Sequence, residues 1–112
     1  MIRALALLTA CILGISITPS YAFTELGAGA QSCGKWTQER QGRNDMEVGA
    51  WALGFVSGAN AMETNIDFLE RTDAAAVLTW VDNYCQSHPL DEISTALVHL
   101  VVELEQRAGG NR

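Results

Sequence analysis

The chain has 112 residues, of which 13 are acidic and 7 basic, for a formal net charge of −6 at pH 7, and 48% are hydrophobic. A chain of this size forms one small domain with a modest core. The acidic balance, without any cluster of Lys and Arg, argues against nucleic acid and anionic membrane surfaces as partners.

The first 22 residues have the order of segments that is typical of a secretory signal peptide. Arg3 precedes an apolar run over residues 4–17, and Pro19 is followed by small residues at Ser20 and Ala22. The run of about 14 residues is shorter than the roughly 20 that span a bilayer. We therefore expect cleavage after Ala22, a periplasmic location and no membrane attachment of the exported chain.

The sequence LTAC at positions 8–11 gives an alternative, because it resembles a bacterial lipoprotein cleavage box around Cys11. Cleavage there would leave the apolar residues ILGISI at the start of the exported protein. It would also convert a free protein into a lipid-anchored one. We favour the interpretation in which Cys11 belongs to the apolar run and is removed with it.

The exported chain then keeps two cysteines, Cys33 and Cys85. Two cysteines in an oxidising compartment predict one intramolecular disulfide. A catalytic thiol would need an orienting partner, and His88 lies three residues after Cys85, but Pro89 follows at the predicted helix end. A zinc site would need paired ligand spacing such as CxxC, which is not present.

Residues 23–31, FTELGAGAQ, are rich in Gly and Ala and have no periodicity, so we expect a flexible N-terminal arm before a helical domain over residues 32–108. A short helix is predicted from Ser32, its cap, to residue 41, with Trp36 buried. Residues 42–45 form a turn in which Asn44 or Asp45 caps the next helix.

Residues 46–62 predict the first long helix. Trp51, Phe55, Ala59 and Met62 follow helical spacing and predict one apolar, core-facing stripe. Gly54 and Gly58 each cost about 1 kcal/mol relative to Ala in a helix. Their spacing therefore predicts a close backbone approach to another helix, either as a tight crossing inside the domain, which we favour, or across a dimer.

Residues 63–73 predict a loop that tucks Phe68 inward, and Thr72 or Asp73 caps a helix over 74–87. The last helix is predicted over 91–107, and residues 109–112 form a disordered tail. The expected core positions of these two helices are Val77, Trp80 or Val81, Tyr84, Ile93, Leu97, Leu100 and Leu104. The fold class is therefore an all-α, small four-helix domain with one disulfide.

Catalytic and cofactor signatures are missing from the sequence. Acidic residues are spread over every segment, and the GAGA stretch at 27–30 follows no strand, as a phosphate loop would. Glu103 lies four residues after His99, a spacing that is more typical of an exposed helical pair than of a catalytic one. We expect a protein that is not an enzyme and needs neither metal nor cofactor.

Three blocks carry a resemblance to known families: Ser32-Cys33-Gly34-Lys35-Trp36, the stretch from Leu53 to Gly58, and Val81-Asp82-Asn83-Tyr84-Cys85 with its continuation through His88-Pro89 to Leu104. Over positions 32–107 the chain resembles the small exported HdeA-like proteins. It is also similar to the Tai-like periplasmic immunity proteins that neutralise type VI secretion amidases.

The resemblance implies a helical fold whose disulfide joins the first helix to the third, and two alternative functions. An HdeA-like protein is an acid-stress chaperone, a homodimer at neutral pH that binds unfolding clients in acid. A Tai-like protein is a dimer that blocks an amidase or another cell-wall enzyme. Both functions require a protein-binding surface, for which the candidate residues are Trp51, Gly54, Phe55, Gly58 and Met62.

Overall fold

The computed structural model describes Gly14 and residues 23–110, so the predicted signal peptide and the LTAC motif lie outside the described residues apart from Gly14. A short 3-10 turn, Ala28–Ala30, precedes four α-helices: α1 (Cys33–Gln41), α2 (Met46–Met62), α3 (Ala74–Ser87) and α4 (Ile93–Gly110). Residues 23–110 contain no strand beyond one isolated bridge between Ser32 and Glu92. The all-α, four-helix prediction is confirmed.

Helix starts follow the predicted capping residues. Ser32 accepts a hydrogen bond from the backbone N–H of Lys35 at 3.1 Å, and Asp73 accepts one from Ala76 at 2.8 Å. Asp45 holds the cap position of α2, but its side chain makes no capping bond. Its carboxylate is instead bound by a side chain of α1.

The end of the last helix differs from its prediction. The sequence predicts residues 91–107, whereas α4 spans Ile93–Gly110. The two glycines assigned to a tail, Gly109 and Gly110, therefore continue the helix. Intrahelical hydrogen bonds extend one turn past Arg107, and the low helix propensity of glycine does not stop them there.

The core lies where α2, α3 and α4 meet. The predicted stripe of α4 is confirmed, and α3 turns Val81 inward while Trp80 and Tyr84 stay half-buried. The predicted stripe of α2 is wrong, because the helix is rotated so that a neighbouring row faces the core. The buried residues of the three helices are Val48, Gly49, Ala52, Val56, Val77, Val81, Cys85, Ile93, Ser94, Ala96, Leu97, Leu100 and Leu104.

A disulfide joins α1 to α3. Cys33 and Cys85 are bonded, with 4.7 Å between their α-carbons, and both are fully buried. Backbone bonds continue the junction, since Cys33 donates to the carbonyl of Asp91 at 2.7 Å and Gly34 donates to that of Pro89 at 2.9 Å. The predicted disulfide is confirmed, and α1 is fixed to both ends of the α3–α4 connection.

The segment before α1 is packed against the domain, although its sequence suggested a flexible arm. Ala28 and Gly29 are buried, and the carbonyl of Gln31 accepts a hydrogen bond from Ile93 at 2.9 Å. Ser94 in α4 donates to the carboxylate of Glu25 at 3.1 Å. Residues 23–31 are called the N-terminal arm.

Candidate functional site

The five candidate residues for partner binding lie together along α2. Trp51, Phe55, Gly58 and Met62 are spaced at i, i+4, i+7 and i+11, and Gly54 lies one turn before Gly58, so all five share one side of the helix. We call them the α2 strip. The strip borders the buried row of Val48, Ala52 and Val56 rather than coinciding with it.

Exposure along the strip is graded. Trp51 and Phe55 are half-buried, Gly54 and Gly58 are exposed, and the side chain of Met62 is 82% exposed. An exposed methionine on the same side of the helix as two half-buried aromatic rings extends the apolar surface along α2.

The tight helix crossing expected at Gly54 and Gly58 is wrong. A Cβ atom placed on either glycine would meet nothing within 4 Å. No other element of the described chain approaches the helix backbone at these positions. A close approach to the α2 backbone at Gly54 and Gly58 is therefore still predicted, but only by a second molecule.

The aromatic half of the strip is covered by the N-terminal arm. The indole N–H of Trp51 donates to the carbonyl of Leu26 at 2.7 Å, and Trp51 stacks on Phe55 with 5.4 Å between ring centroids. Phe23 lies 6.2 Å from the ring of Phe55. Gly29 lies so near the indole that an added Cβ would come within 2.1 Å of it.

Two clefts of the described chain lie away from the strip. A cleft of about 400 Å³ lies between residues 65–72 and the end of α4, and one of about 310 Å³ lies between α2 and α3. No strip residue lines either cleft.

A charged cluster that the sequence did not predict lies beside the disulfide. Arg40 in α1 donates to both carboxylate oxygens of Asp82 in α3, at 2.9 and 2.7 Å, and to Asp45 at 2.8 Å. Trp36 donates its indole N–H to Asp82 at 2.7 Å and lies beneath the guanidinium, 5.9 Å from ring centroid to Cζ. The cluster ties α1 to α3 and to the start of α2.

The electrostatics of this cluster follow from its geometry. Partial burial opposes ionisation of Asp82, but the hydrogen bonds from Arg40 and Trp36 outweigh it and lower the pKa of that carboxyl. The hydrogen bond from Arg40 also lowers the pKa of Asp45. These carboxylates in turn raise the pKa of Arg40 above its ordinary value.

Aromatic rings form a second cluster on α3 and α4. Tyr84 stacks between Trp80 and His88, with centroid distances of 5.4 and 4.1 Å, and lies 5.5 Å from His99. Burial, followed by the hydrogen bond to Asp91 at 2.6 Å, raises the pKa of Tyr84 to about 12. The ring of Tyr84 is thus in contact with three other rings.

Glu103, which lies four residues after His99 in the sequence, is engaged by other side chains. It accepts a hydrogen bond from the indole of Trp80 at 2.8 Å and pairs with Arg107 one turn later. His88 directs Nδ1 at the carbonyl of Tyr84, at 2.8 Å. Glu103 and His88 are thus both tied into the helix surface.

Two carboxyl groups meet where α2 ends against α4. Burial raises the pKa of Glu105. The adjacent Glu63 raises this pKa further, both as a hydrogen-bond partner and as a like charge. Two acidic groups that share one place in this way are destabilising when both are ionised.

Neither a metal site nor a membrane span is found in the part of the chain that the structure describes. Within residues 23–110 no group of three or more His, Cys, Asp or Glu side chains is placed to hold a metal ion. Among the described helices, none combines the length and apolar character that a bilayer crossing requires. The two sulfurs of Cys33 and Cys85 are bonded to each other, so neither is a thiolate in this state.

Comparisons with protein-family models, with curated proteins and with solved structures found no match for this chain. The resemblance to HdeA-like and Tai-like proteins therefore stays a prediction from the sequence blocks at 32–36, 53–58 and 81–104. The disulfide between the first and third helices agrees with what that similarity implies for the fold.

Proposed function

We propose that the exported chain is a non-enzymatic periplasmic protein-binding protein, an acid-stress chaperone of the HdeA-like kind that holds unfolding proteins on the α2 strip. The observation that carries the proposal is the pairing of Trp51 and Phe55, two half-buried rings against which the N-terminal arm lies. Release of the arm would expose two adjacent aromatic rings and remove Ala28 from the edge of the core.

The composition of α2 supports a surface that binds apolar chains. Of its 17 residues only Glu47 is charged, and the methionines at its two ends, Met46 and Met62, are 88% and 82% exposed. Methionine side chains are flexible and polarizable, so they adapt to partners of varied shape. A strip of this kind suits many client sequences better than one.

Net charge supplies an acid response. Without Arg3 the chain has 13 acidic and 6 basic residues and two histidines. Between about pH 7 and about pH 2.5 its side-chain charge changes from about −7 to about +8. Self-repulsion of that size loosens contacts that are held by weak apolar packing, including a homodimer interface if one forms.

The location of the disulfide determines which contacts survive in acid. Protonation of Asp82 and Asp45 removes the partners of Arg40, which link the start of α2 to α1 and α3. The Cys33–Cys85 bond between α1 and α3 is unaffected by pH. Acid therefore loosens the start of α2 while the disulfide keeps α1 and α3 joined.

A specific inhibitor of a cell-wall enzyme is the second candidate. Its support is Leu90, which is 93% exposed in a connection held rigid by the backbone bonds to the carbonyls of Pro89 and Asp91. An inhibitor gains affinity from a surface that is already ordered before binding. This candidate would use the α3–α4 connection rather than the α2 strip.

Light scattering of an aggregating client protein tests the chaperone proposal. The exported, oxidised protein should suppress aggregation at about pH 2.5 and not at pH 7. Met62→Ser should weaken suppression severalfold, whereas Leu90→Ser, a matched change at an equally exposed apolar residue outside the strip, should leave it unchanged. No suppression at either pH would reject the chaperone function, and loss with Leu90→Ser alone would place client binding at the α3–α4 connection instead of the α2 strip.

A further inference from the structure

The N-terminal arm is recognised by α2 through very few of its side chains. The side chain of Leu26 is 84% exposed, and this residue contributes its backbone carbonyl to Trp51. The contacts of Gly27 and Gly29 depend on the lack of a side chain. Phe23, at the start of the arm, supplies the aromatic contact with Phe55.

Both glycines lie against the indole ring. A Cβ at Gly27 would lie 2.9 Å from Nε1 of Trp51, and the φ of +95° at this residue is rarely adopted by other residues. A Cβ at Gly29 would come within 2.1 to 2.5 Å of three carbon atoms of the indole. The ring has little room to yield, because it is stacked on Phe55 and hydrogen-bonded to Leu26.

These contacts are those of a bound peptide. The ring of Phe23 lies against Phe55, and the backbone carbonyl of Leu26 accepts the indole N–H of Trp51. Gly29 lies against the indole ring where a side chain would not fit. We propose that the surface of Trp51 and Phe55 is a binding site for unfolded segments in which an aromatic residue is followed four and six positions later by glycine, with the arm as its resting occupant. This inference rests on the proposed protein-binding function and names the chemistry of the partner.

Covalent connection explains why the arm holds the site at rest. A segment of the same chain that is tethered near its site is present at an effective concentration of the order of millimolar. A free peptide with the same contacts must compete with that concentration. The site therefore becomes available only when the arm is displaced or its contacts are weakened.

Gly29→Ala is designed to displace the arm in the full exported protein. Gly109→Ala, near the end of α4 and outside the α2 strip, is the matched control, because its Cβ would meet nothing within 4 Å. The indole N–H resonance of Trp51, assigned with Trp51→Phe among the three tryptophans, reports whether the bond to Leu26 is kept. Phe23→Asp with Gly29→Val is a second, stronger displacement.

The probe is a synthetic peptide of residues 23–31, FTELGAGAQ, added at pH 7. We expect Gly29→Ala protein to bind it at least tenfold more tightly than the wild type or Gly109→Ala protein does. The same peptide carrying Gly29→Ala should bind none of the three. Addition of FTELGAGAQ should also move the Trp51 indole resonance back toward its wild-type position.

Each other outcome overturns the inference. If the arm stays bound in both displacement variants, the glycines do not control the contact. If the displaced protein ignores FTELGAGAQ, binds both peptides equally, or binds no better than the wild type, the surface has no such preference. Peptide binding without client protection in acid would reject the chaperone function alone, and protection without peptide binding would reject this site alone.

Discussion

The carboxylate of Asp82 accepts two parallel hydrogen bonds from the guanidinium of Arg40, across a separation of 42 residues. Such bidentate pairs are among the stronger polar contacts in proteins. A third bond, from the indole of Trp36, uses one of the same oxygens. Because the disulfide joins the same two helices, α1 is fixed to α3 at two points.

Asp82→Asn should lower the free energy of unfolding by about 2 kcal/mol, since hydrogen bonds to charged groups contribute roughly 1.5–3 kcal/mol. The change keeps the shape of the side chain while it removes the charge that Arg40 and Trp36 bind. Urea unfolding at pH 7 measures the loss. Glu70→Gln, at an exposed residue outside the cluster, is the control, and a loss similar to that of the control would contradict the prediction.

The stabilisation by this cluster should depend on pH in one direction. The pKa of Asp82 and that of Asp45 lie below the ordinary value of 3.8 in the folded protein. Their contribution is therefore fully present above that value and is lost as the pH falls through the lowered, folded-state pKa. The stability difference between wild type and Asp82→Asn, followed from about pH 6 to about pH 2, should shrink only below pH 3.8; a constant difference would contradict it.

Glu105→Gln should have the opposite effect and stabilise the protein at pH 7. A raised pKa means that the folded state favours the protonated carboxyl, so stability is highest below 4.5 and is lost as the pH rises through the folded-state pKa. Removal of one charge from the pair with Glu63 should give about 0.5 kcal/mol. Thermal unfolding at pH 7 and at about pH 3.5 measures this, and an equal gain at both would show that repulsion is not the cause.

Gly54→Ala should raise the free energy of unfolding by roughly 0.5–1 kcal/mol, because alanine is the better helix former and its Cβ has free space. Gly58→Ala should act in the same way, and the two effects should add. Chemical unfolding with the mass in solution measured in parallel provides the check. A loss of stability, or a change of mass, would mean that another copy of the chain packs against these glycines.

The disulfide should protect both cysteines from alkylation until a reductant is added. Its bonded residues are 52 positions apart, and the chain-entropy relation gives about 4 kcal/mol for a loop of this length. Replacement of Cys33 and Cys85 by Ala should lower the unfolding free energy by about that amount. Alkylation of the exported protein without reductant would be the contrary result.

Local signals in the sequence predicted the helices well. Ser32 and Asp73 mark helix starts because a side-chain oxygen next to free backbone N–H groups has the same effect in any fold. The core-facing residues of α4 could be predicted because the opposite face of this helix is polar. The disulfide could be predicted because only two cysteines, Cys33 and Cys85, follow the predicted signal peptide.

The rotation of α2 could not be predicted in this way. With Glu47 as the one charged residue, the helix has no polar face that fixes its orientation, and Val48, Ala52 and Val56 were as plausible a core row as Trp51 and Phe55. The choice between them is made by tertiary contacts. Leu26 of the arm is 25 residues from Trp51 in the sequence, and Arg40 is 42 residues from Asp82. Residue spacing does not predict contacts at such separations.

The bond between Cys33 and Cys85 closes a ring of the chain that contains all of α2 and the loop at 63–73, while the arm and α4, which hold α2 in place, lie outside the ring. A protease that cuts once inside this ring leaves two fragments that remain covalently linked. A molecule cleaved in the loop would therefore keep the mass of one chain until it is reduced. Both of its fragments would also retain the partners against which they fold.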